Sequence, residues 1–405
     1  MTSDRQEWRT RIERELLDNI LPFWINHTVD EVNGGFFGAV TNDLLVRNTE
    51  PRSAVLYARI LWTFAAAYRL HPADRYLDIA RRAYDYLTRY FVDPNDGGVY
   101  WTVDYRGKPV NDRKHIYAQG FAIYGLAEYY RATGEPESLK LAQDLFRLIE
   151  AHSFDPIHQG NIECRSRAWG ELADMRLSAL EPDCRKSMNT LLHVMEAYTN
   201  LLRVWDNAEL RARQRGLIEI FLQRIIDPQT HHFRLFFDDD WTSFSDLISF
   251  GHDIEGSWLI VEAAEVQGDA SLLAQAREAA VKMAEAVFSQ GLDADGSLFY
   301  EAGRQGIRQG IRNDQKHWWP QAEAVVGFYN AHQISGRAAF AEAAHRVWSY
   351  IEAHVVDRIH GEWFKVLRRD GTPDLGHVKT GPWECPYHNS RACFEMLSRL
   401  PAQSS

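Results

Sequence analysis

The segment Asp93-Pro-Asn-Asp-Gly-Gly-Val-Tyr-Trp101 decides the fold, because it joins a tight turn to a short aromatic strand and recurs along the chain. Gly and Asp favour tight turns, and the aromatic and β-branched residues behind them favour a strand. Related segments begin at Asp30, Asp155, Asp227, Asp293 and Asp357, at intervals of 62 to 72 residues. The 405 residues therefore contain six copies of one structural unit.

Two helical runs follow the turn within each unit. In the second unit they cover residues 114–132 and 137–152, and Gly134 and Pro136 separate them as helix-ending residues do. The pairs predicted in three other units are 53–70 with 73–90, 251–267 with 270–290, and 318–334 with 338–355. Each unit is therefore a helical hairpin.

The two helices of a pair differ in their apolar pattern. The first is apolar on nearly all faces, as in residues 57–68, whereas the second has a polar face, as in residues 76–87. Six buried and six half-buried helices predict an all-α fold, an (α/α)6 barrel with short β-hairpin loops at one rim, in a single domain of residues 1–405. An open solenoid is the alternative. Closure is favoured by the repeat number, with a helix at 8–23 packing on one at 390–400.

The composition argues against several classes of function. The net charge is −11 and no basic run stands out, so we expect no nucleic-acid partner. No apolar run approaches the ~20 residues that span a bilayer, and the N-terminal segment lacks the apolar core of a signal peptide. We therefore expect a cytoplasmic protein without membrane contact. The four cysteines form no metal-binding spacing.

Titratable and aromatic residues collect where the inner helices begin. If these helices start at one rim, their first turns surround a single pocket. Within residues 249–258, His252 and Glu255 are three residues apart and share one helix face. Indole rings at a polar rim suit sugar rings, and a guanidinium within an apolar helix needs an anion. The predicted site comprises Arg59, Tyr117, Asn189, His193, His252, Glu255, Trp318, Trp319, Trp383 and His388.

Two other chemistries compete for this ring of residues. Several histidines could bind a metal ion, although the chain has no His-Glu-x-x-His or His-x-His spacing. A glycoside hydrolase would need two carboxylates flanking the bond, and Glu255 and Glu323 are the candidates. Histidines outnumber carboxylates in the ring, which favours proton transfer near neutral pH. We therefore expect neither a metal nor a cofactor.

Four segments resemble the N-acylglucosamine 2-epimerase superfamily, namely Ser187-Met-Asn-Thr190, Phe250-Gly-His-Asp-Ile-Glu255, His317-Trp-Trp-Pro-Gln-Ala-Glu323 and Pro386-Tyr-His-Asn389. The similarity covers nearly the whole chain and is greatest to the branch whose members epimerise cellobiose. The resemblance implies an (α/α)6 barrel. It also implies inversion at C2 of the reducing-end sugar of a small disaccharide, such as cellobiose or lactose, without a cofactor.

The resemblance further implies roles for the candidate residues. His252 and His388 are expected to form the acid/base pair, which removes the C2 proton and returns it to the other face. Glu255 is expected to orient or tune His252 and to assist ring opening. The expected stabilisers of the cis-enediolate are Arg59, His193 and Asn189. The expected sugar-binding residues are Trp318, Trp319, Trp383 and Tyr117.

Two further functions stay open at this stage. The first is an aldose–ketose isomerase or a 2-epimerase acting on a monosaccharide such as mannose or N-acylglucosamine, which would use the same enediolate. The second is a non-catalytic sugar-binding barrel. We expect the protein to be a monomer or a weak homo-oligomer.

Overall fold

The helices form nested inner and outer sets, as the apolar patterns predict. The computed structural model describes residues 2–303 and 310–400. Its helices are α1 (Thr2–Arg14), α2 (Leu21–His27), α3 (Ala54–Leu70), α4 (Asp74–Tyr86), α5 (Ile116–Thr133), α6 (Pro136–His152), α7 (Met188–Leu202), α8 (Ala208–Ile220), α9 (Phe250–Gln267), α10 (Ala270–Gln290), α11 (Trp318–Ser335), α12 (Ala338–Tyr350) and α13 (Tyr387–Arg399). The segments in π-helical conformation are Glu15–Ile20, Leu87–Phe91, Phe221–Ile225 and Ile351–Val355.

The inner helices close into a ring. Helix α3 packs on α5, α5 on α7, α7 on α9, α9 on α11, α11 on α13, and α13 returns to α3. The outer helices α4, α6, α8, α10 and α12 each pack on the inner helix that precedes them, and α1 packs on α13. The prediction of an (α/α)6 barrel is thereby confirmed, and the open solenoid is wrong.

The helix ends differ from the predictions by a few residues. The predicted helices at 73–90 and 338–355 are α-helical only to Tyr86 and Tyr350, and each ends in a π-helical turn. Helix α13 begins three residues before the predicted start, so that His388 lies in its first turn. The N-terminal helical segment covers residues 2–27 rather than 8–23.

Short strands link each unit to the next at the rim where the inner helices begin. They are β1 (Ala39–Val40), β2 (Val46–Arg47), β3 (Arg52–Ser53), β4 (Thr102–Val103), β5 (Pro109–Asn111), β6 (Lys114–His115), β7 (Cys164–Arg165), β8 (Lys186–Ser187), β9 (Phe236–Phe237), β10 (Leu247–Ser249), β11 (Glu301–Gly303), β12 (Ile311–Asn313), β13 (Lys316–His317) and β14 (Val366–Leu367). The antiparallel sheets are β1-β2, β3-β4-β5, β6-β7, β8-β9, β10-β11-β12 and β13-β14. In most of them, the strand before an inner helix pairs with the strand after the next outer helix, and this pairing aligns the helix starts.

In five of the six units, the repeated aspartate braces its turn against the segment that precedes an inner helix. The Oδ1 of Asp93 accepts from the backbone N–H of Asn95 at 3.0 Å, and its Oδ2 accepts from the buried Lys114 Nζ at 3.0 Å. Four equivalent pairs, each with a buried Lys or Arg, are Arg52–Asp30, Lys186–Asp155, Lys316–Asp293 and Lys379–Asp357. Because removing one partner would strand a buried charge, each pair fixes its turn firmly.

Close packing of the inner helices depends on small residues at their crossings. A Cβ added to Gly125 would lie 2.7 Å from the backbone oxygen of Ala58, and one added to Gly327 would lie 2.6 Å from that of Ile254. Only glycine permits such approaches, so α5 meets α3, and α11 meets α9, nearly backbone to backbone. Among the described residues, no helix combines the length and apolarity needed to cross a membrane.

Candidate active site

A cavity of about 320 Å³ opens at the rim where the inner helices begin. All ten residues of the predicted site line it, although they come from six different units of the chain. Their convergence follows from the aligned helix starts, because each residue lies in or near the first turn of its inner helix. Other lining residues include Leu180, Glu181, Tyr300, His317 and Glu384.

His388 is held by a carboxylate from the neighbouring inner helix. Its Nδ1 lies 2.7 Å from the Oε1 of Glu323 in α11, and both side chains are buried. A carboxylate accepts the Nδ1 proton, so the neutral ring offers a lone pair at Nε2 and can act as a base. Burial, with the nearby positive charges of Arg59 and Arg391, lowers the pKa of His388. The ring is therefore neutral at physiological pH.

His193 has a similar carboxylate partner within its own helix. The Oε2 of Glu196 lies 2.9 Å from the Nδ1 of His193, and the Oε1 of Glu196 accepts from the hydroxyl of Tyr387 and from Arg391. Burial lowers the pKa of His193 to about 4, despite the opposing effect of Glu196. His193 is thus a second neutral imidazole whose tautomer is set by a carboxylate.

Arg391 connects the carboxylate partners of His193 and His388. The sequence analysis did not predict a role for it. Its guanidinium contacts the carboxylates of Glu196, Glu255 and Glu323, and all four groups are buried. One positive charge cannot balance three negative ones in a dry interior. Burial and the charge of Glu323 accordingly raise the pKa of Glu255. The cluster therefore retains a proton at neutral pH.

The structure places Glu255 differently from the sequence-based expectation. Its Oε1 is bound by Arg391 and lies 3.7 Å from the Nδ1 of His388. The Nδ1 of His252 is instead 2.7 Å from the hydroxyl oxygen of Ser249. The assignment of Glu255 as the residue that orients His252 is therefore wrong: a spacing of three allows the side chains to meet, but the fixed guanidinium attracts the carboxylate.

His252 is a half-buried residue of the cavity wall, in the first turn of α9. Burial, with the proximity of His193, lowers its pKa to about 3. The ring of Trp319 contacts both acid/base candidates, with centroid distances of 4.7 Å to His252 and 5.5 Å to His388. A Cβ at Gly251 would lie 2.6 Å from Trp319, so glycine is needed for this arrangement.

Arg59 carries a buried positive charge surrounded by aromatic rings. Its Nη2 donates to the hydroxyl of Tyr117 at 2.8 Å, and its guanidinium lies 4.2 Å from the ring centre of Phe121 and 4.8 Å from that of Tyr387. Its other hydrogen-bond partner is the Sγ of Cys385, at 3.6 Å. Within the described part of the chain, no carboxylate forms an ion pair with it. Arg59 can therefore stabilise an anion that forms in the cavity.

The remaining predicted residues form the wall for a sugar. Trp318 meets His388 edge-on at a centroid distance of 5.5 Å, and Trp383 meets Tyr117 edge-on at 5.9 Å. The Oδ1 of Asn189 is buried and has no hydrogen-bond partner among the described residues, and a substrate hydroxyl could supply one.

Sequence reasoning missed the contribution of the loop between β7 and β8. This loop carries Leu177, Ser178, Leu180 and Glu181 to the cavity wall. Its first part is anchored, since the indole N–H of Trp169 donates to the backbone oxygen of Asp96 at 2.8 Å. The longest interval between successive turns spans this loop, and that extra length was the available signal.

The geometry also bears on the two competing chemistries. Ligand atoms of Glu255, Glu323 and His388 lie within 4.8 Å of one another, as a metal site would require. Arg391 already bonds both carboxylates and supplies the positive charge that a metal would bring. Because both carboxylates converge on one guanidinium, they do not flank a space for a glycosidic bond, which disfavours the hydrolase hypothesis.

Comparison with known proteins gives consistent matches over almost the full length. Residues 35–392 match the sequence model of N-acylglucosamine 2-epimerase (GlcNAc 2-epimerase). The chain is 46% identical over 389 residues to the cellobiose 2-epimerase of Bacteroides fragilis, covering 96% of this chain and 98% of the relative. It is 38% identical to that of Ruminococcus albus, with 96% and 98% covered. The solved cellobiose 2-epimerase of Bacillus thermoamylovorans superposes with a TM-score of 0.91 at 40% identity, covering 97% of this chain and 100% of that chain.

Proposed function

Because this chain belongs to the N-acylglucosamine 2-epimerase family, we propose that it is an isomerase that epimerises C2 of the reducing-end glucose in cellobiose and related β-1,4-linked disaccharides, including lactose. The product is the corresponding mannose-ended disaccharide. The observation that carries the proposal is a pair of neutral imidazoles, the buried His388 and the half-buried His252, in one cavity with the cation of Arg59, which pairs with no carboxylate of the described residues.

Epimerisation begins by opening the sugar ring. The proton of the anomeric hydroxyl passes to solvent, its electron pair forms the C1=O bond as the bond between C1 and the ring oxygen breaks, and the ring oxygen gains a proton. Glu255 is suited to supply a proton, because burial beside Glu323 keeps its carboxyl protonated at neutral pH. The open form carries an aldehyde at C1, which makes the adjacent C2 proton acidic.

A histidine then removes the C2 proton at its Nε2. The electron pair of the C2–H bond forms a C1=C2 double bond, and the aldehyde oxygen takes up the negative charge. Arg59 stabilises this cis-enediolate, since no carboxylate in residues 2–303 and 310–400 competes for its guanidinium. Neutral His193 and Asn189 line the same cavity and can hydrogen-bond the diolate oxygens.

Inversion follows when the other histidine gives the proton of its Nε2–H to C2 from the opposite face, and proton exchange with solvent then returns both histidines to their starting forms. The double-bond electrons form the new C2–H bond, and the aldehyde is restored. His252 and His388 come from α9 and α13, and Trp319 contacts both rings. We propose that they serve the two faces, with Trp318, Trp319, Trp383 and Tyr117 holding the disaccharide.

Incubation with cellobiose in D2O tests the proposal. Epimerase action predicts a glucosyl-mannose product with deuterium at C2, detected by NMR and mass spectrometry. A ketose product would instead indicate aldose–ketose isomerisation, in which C1 is protonated. Absence of both exchange and product, with sugar binding retained, would indicate a non-catalytic sugar-binding barrel.

The cellular location and assembly state remain predictions. We expect a cytoplasmic monomer or weak homo-oligomer, because the six units close the inner ring within one chain. Light scattering across a range of protein concentrations measures the assembly state, and fractionation of the producing cell tests the location.

A further inference from the structure

Ser249 occupies a position that caps the inner helix in other units, but its hydroxyl serves a different purpose. Ser53 precedes α3 and accepts from the backbone N–H of Leu56 at 3.1 Å. Ser187 precedes α7 and accepts from the N–H of Thr190 at 3.1 Å. Ser249 precedes α9 in the same way, yet its side chain forms no bond to that helix backbone.

The hydroxyl of Ser249 is bound to His252 instead. Its Oγ lies 2.7 Å from the Nδ1 of that ring, and the serine is 5% exposed. Serine is among the preferred N-cap residues, and a lost cap bond destabilises a helix. A buried serine that forgoes this bond for a residue of the cavity wall indicates that the contact with His252 is the functional one.

A hydroxyl has a property that the carboxylate partners of His193 and His388 lack. It can donate to an unprotonated Nδ1 or accept from a protonated one. The contact with Ser249 therefore persists in either neutral tautomer of His252 and in its cation. The imidazole can gain and lose a proton at Nε2 without losing its orientation.

We propose that Ser249 is a positioning residue for catalysis, which holds the Nε2 of His252 towards C2 of the sugar during both proton removal and proton return. This inference rests on the proposed epimerase function. His388 has its own support from Glu323 at 2.7 Å and does not depend on Ser249. Loss of the serine hydroxyl should therefore impair one histidine and spare the other.

Such a one-sided defect has a distinct signature in D2O. His388 still takes the C2 proton of the epimer whose proton faces it, and the resulting enediolate waits longer for His252. During that time the proton on His388 exchanges with solvent, and a deuteron returns to the same face of C2. The substrate becomes deuterated without inversion.

The test compares Ser249→Ala with Ser53→Ala and wild type, using each epimer of the disaccharide in D2O. For Ser249→Ala we expect epimerisation to fall about 10-fold or more, since a positioned acid/base contributes about 10²–10⁴-fold. For one epimer, C2 exchange should outpace inversion. The melting temperature of the Ser249→Ala protein should stay close to that of wild type, because no helix cap is lost.

Ser53→Ala should show the opposite pattern, with a lower melting temperature and the wild-type ratio of exchange to inversion. Ser249→Thr retains a hydroxyl and should restore most of the inversion rate. The inference is overturned if Ser249→Ala epimerises at the wild-type rate, or if exchange and inversion fall together for both epimers. A wild-type protein without any C2 exchange would refute the proposed function itself, so the two failures are distinguishable.

Discussion

Replacing Glu323 with Gln should remove most of the epimerase activity while leaving the protein folded. The Oε1 of Glu323 accepts from His388 Nδ1 at 2.7 Å and from Arg391 at 2.6 Å, and its Oε2 accepts from the indole of Trp258 at 3.0 Å. All three neighbours are donors when His388 is a base with its lone pair at Nε2. A carboxylate satisfies them, whereas an amide has only one acceptor oxygen.

Both orientations of the glutamine amide are therefore unfavourable. With its oxygen towards His388 and Arg391, the NH2 group faces the N–H of Trp258. With its oxygen towards Trp258, the NH2 group faces Arg391 and drives His388 to the tautomer that carries its proton on Nε2, which cannot remove the C2 proton. Loss of a positioned base costs about 10²–10⁴-fold in kcat, or about 3 to 5 kcal/mol in activation free energy.

Folding should survive, because Arg391 keeps its contacts with Glu196 and Glu255. Removing the charge of Glu323 also relieves the repulsion that raises the pKa of Glu255. The measurements are kcat for cellobiose, the melting temperature and the C2 exchange rate in D2O.

Trp258→Phe is the matched control, since it leaves the bond between Glu323 and His388 intact. We expect it to change kcat far less than Glu323→Gln does. In combination with Glu323→Gln, it removes the donor–donor conflict and should recover part of the lost activity. A Glu323→Gln protein with kcat within about threefold of wild type would refute the tautomer argument.

Four further predictions concern charge, protonation and metal content. Arg59→Met should lower kcat/KM by about 10²–10³-fold, as for loss of an oxyanion stabiliser, whereas a purely structural role would lower the melting temperature instead. Activity should decline above pH 8, because Glu255, whose pKa is raised to about 8, is then losing its proton. Glu255→Gln cannot ionise, so a decline of the same shape in that variant would contradict this. Since the folded pKa of Glu255 exceeds the unfolded value of 4.5, this group should make folding less favourable as pH rises from about 4.5 to 8, as measured by denaturation. Dialysis against EDTA should leave turnover unchanged, and a loss restored by zinc or manganese would place a metal at Glu255, Glu323 and His388.

The sequence was sufficient for the architecture because the repeat is local in its causes. Each aspartate turn is built from neighbouring residues, as when Asp357 accepts from the N–H of Ile359 at 2.9 Å. Aligned turns then imply aligned helix starts, and aligned starts bring the first-turn side chains to one cavity. None of these steps depends on how far each helix is rotated about its axis.

The hydrogen-bond partners of the site residues could not be predicted, because they depend on the rotation of each helix and lie far apart along the chain. Glu323 and His388 are 65 residues apart, and Glu196 and Arg391 are 195 residues apart. Sequence periodicity does not reveal such distant pairs. Glu255 was therefore assigned to His252 only because the two residues are three positions apart. The role of Ser249 was accessible in principle, because it shares its helix-capping position with Ser53 and Ser187, but its departure from capping is visible only in three dimensions.

Three of the histidines that line the cavity, His193, His252 and His388, differ in the group that holds Nδ1, and this difference explains why the barrel must close for the site to work. His193 is held by a carboxylate of its own helix and His252 by a serine at the start of its own helix. His388 depends on Glu323 from α11, and Arg391 connects that carboxylate to Glu196 in α7. Residues of α13 thus receive their alignment from helices on both sides of the ring. A shift of α13 would disturb His388 first. Substitutions in the interface where α1 packs on α13 should therefore reduce turnover before they reduce sugar binding.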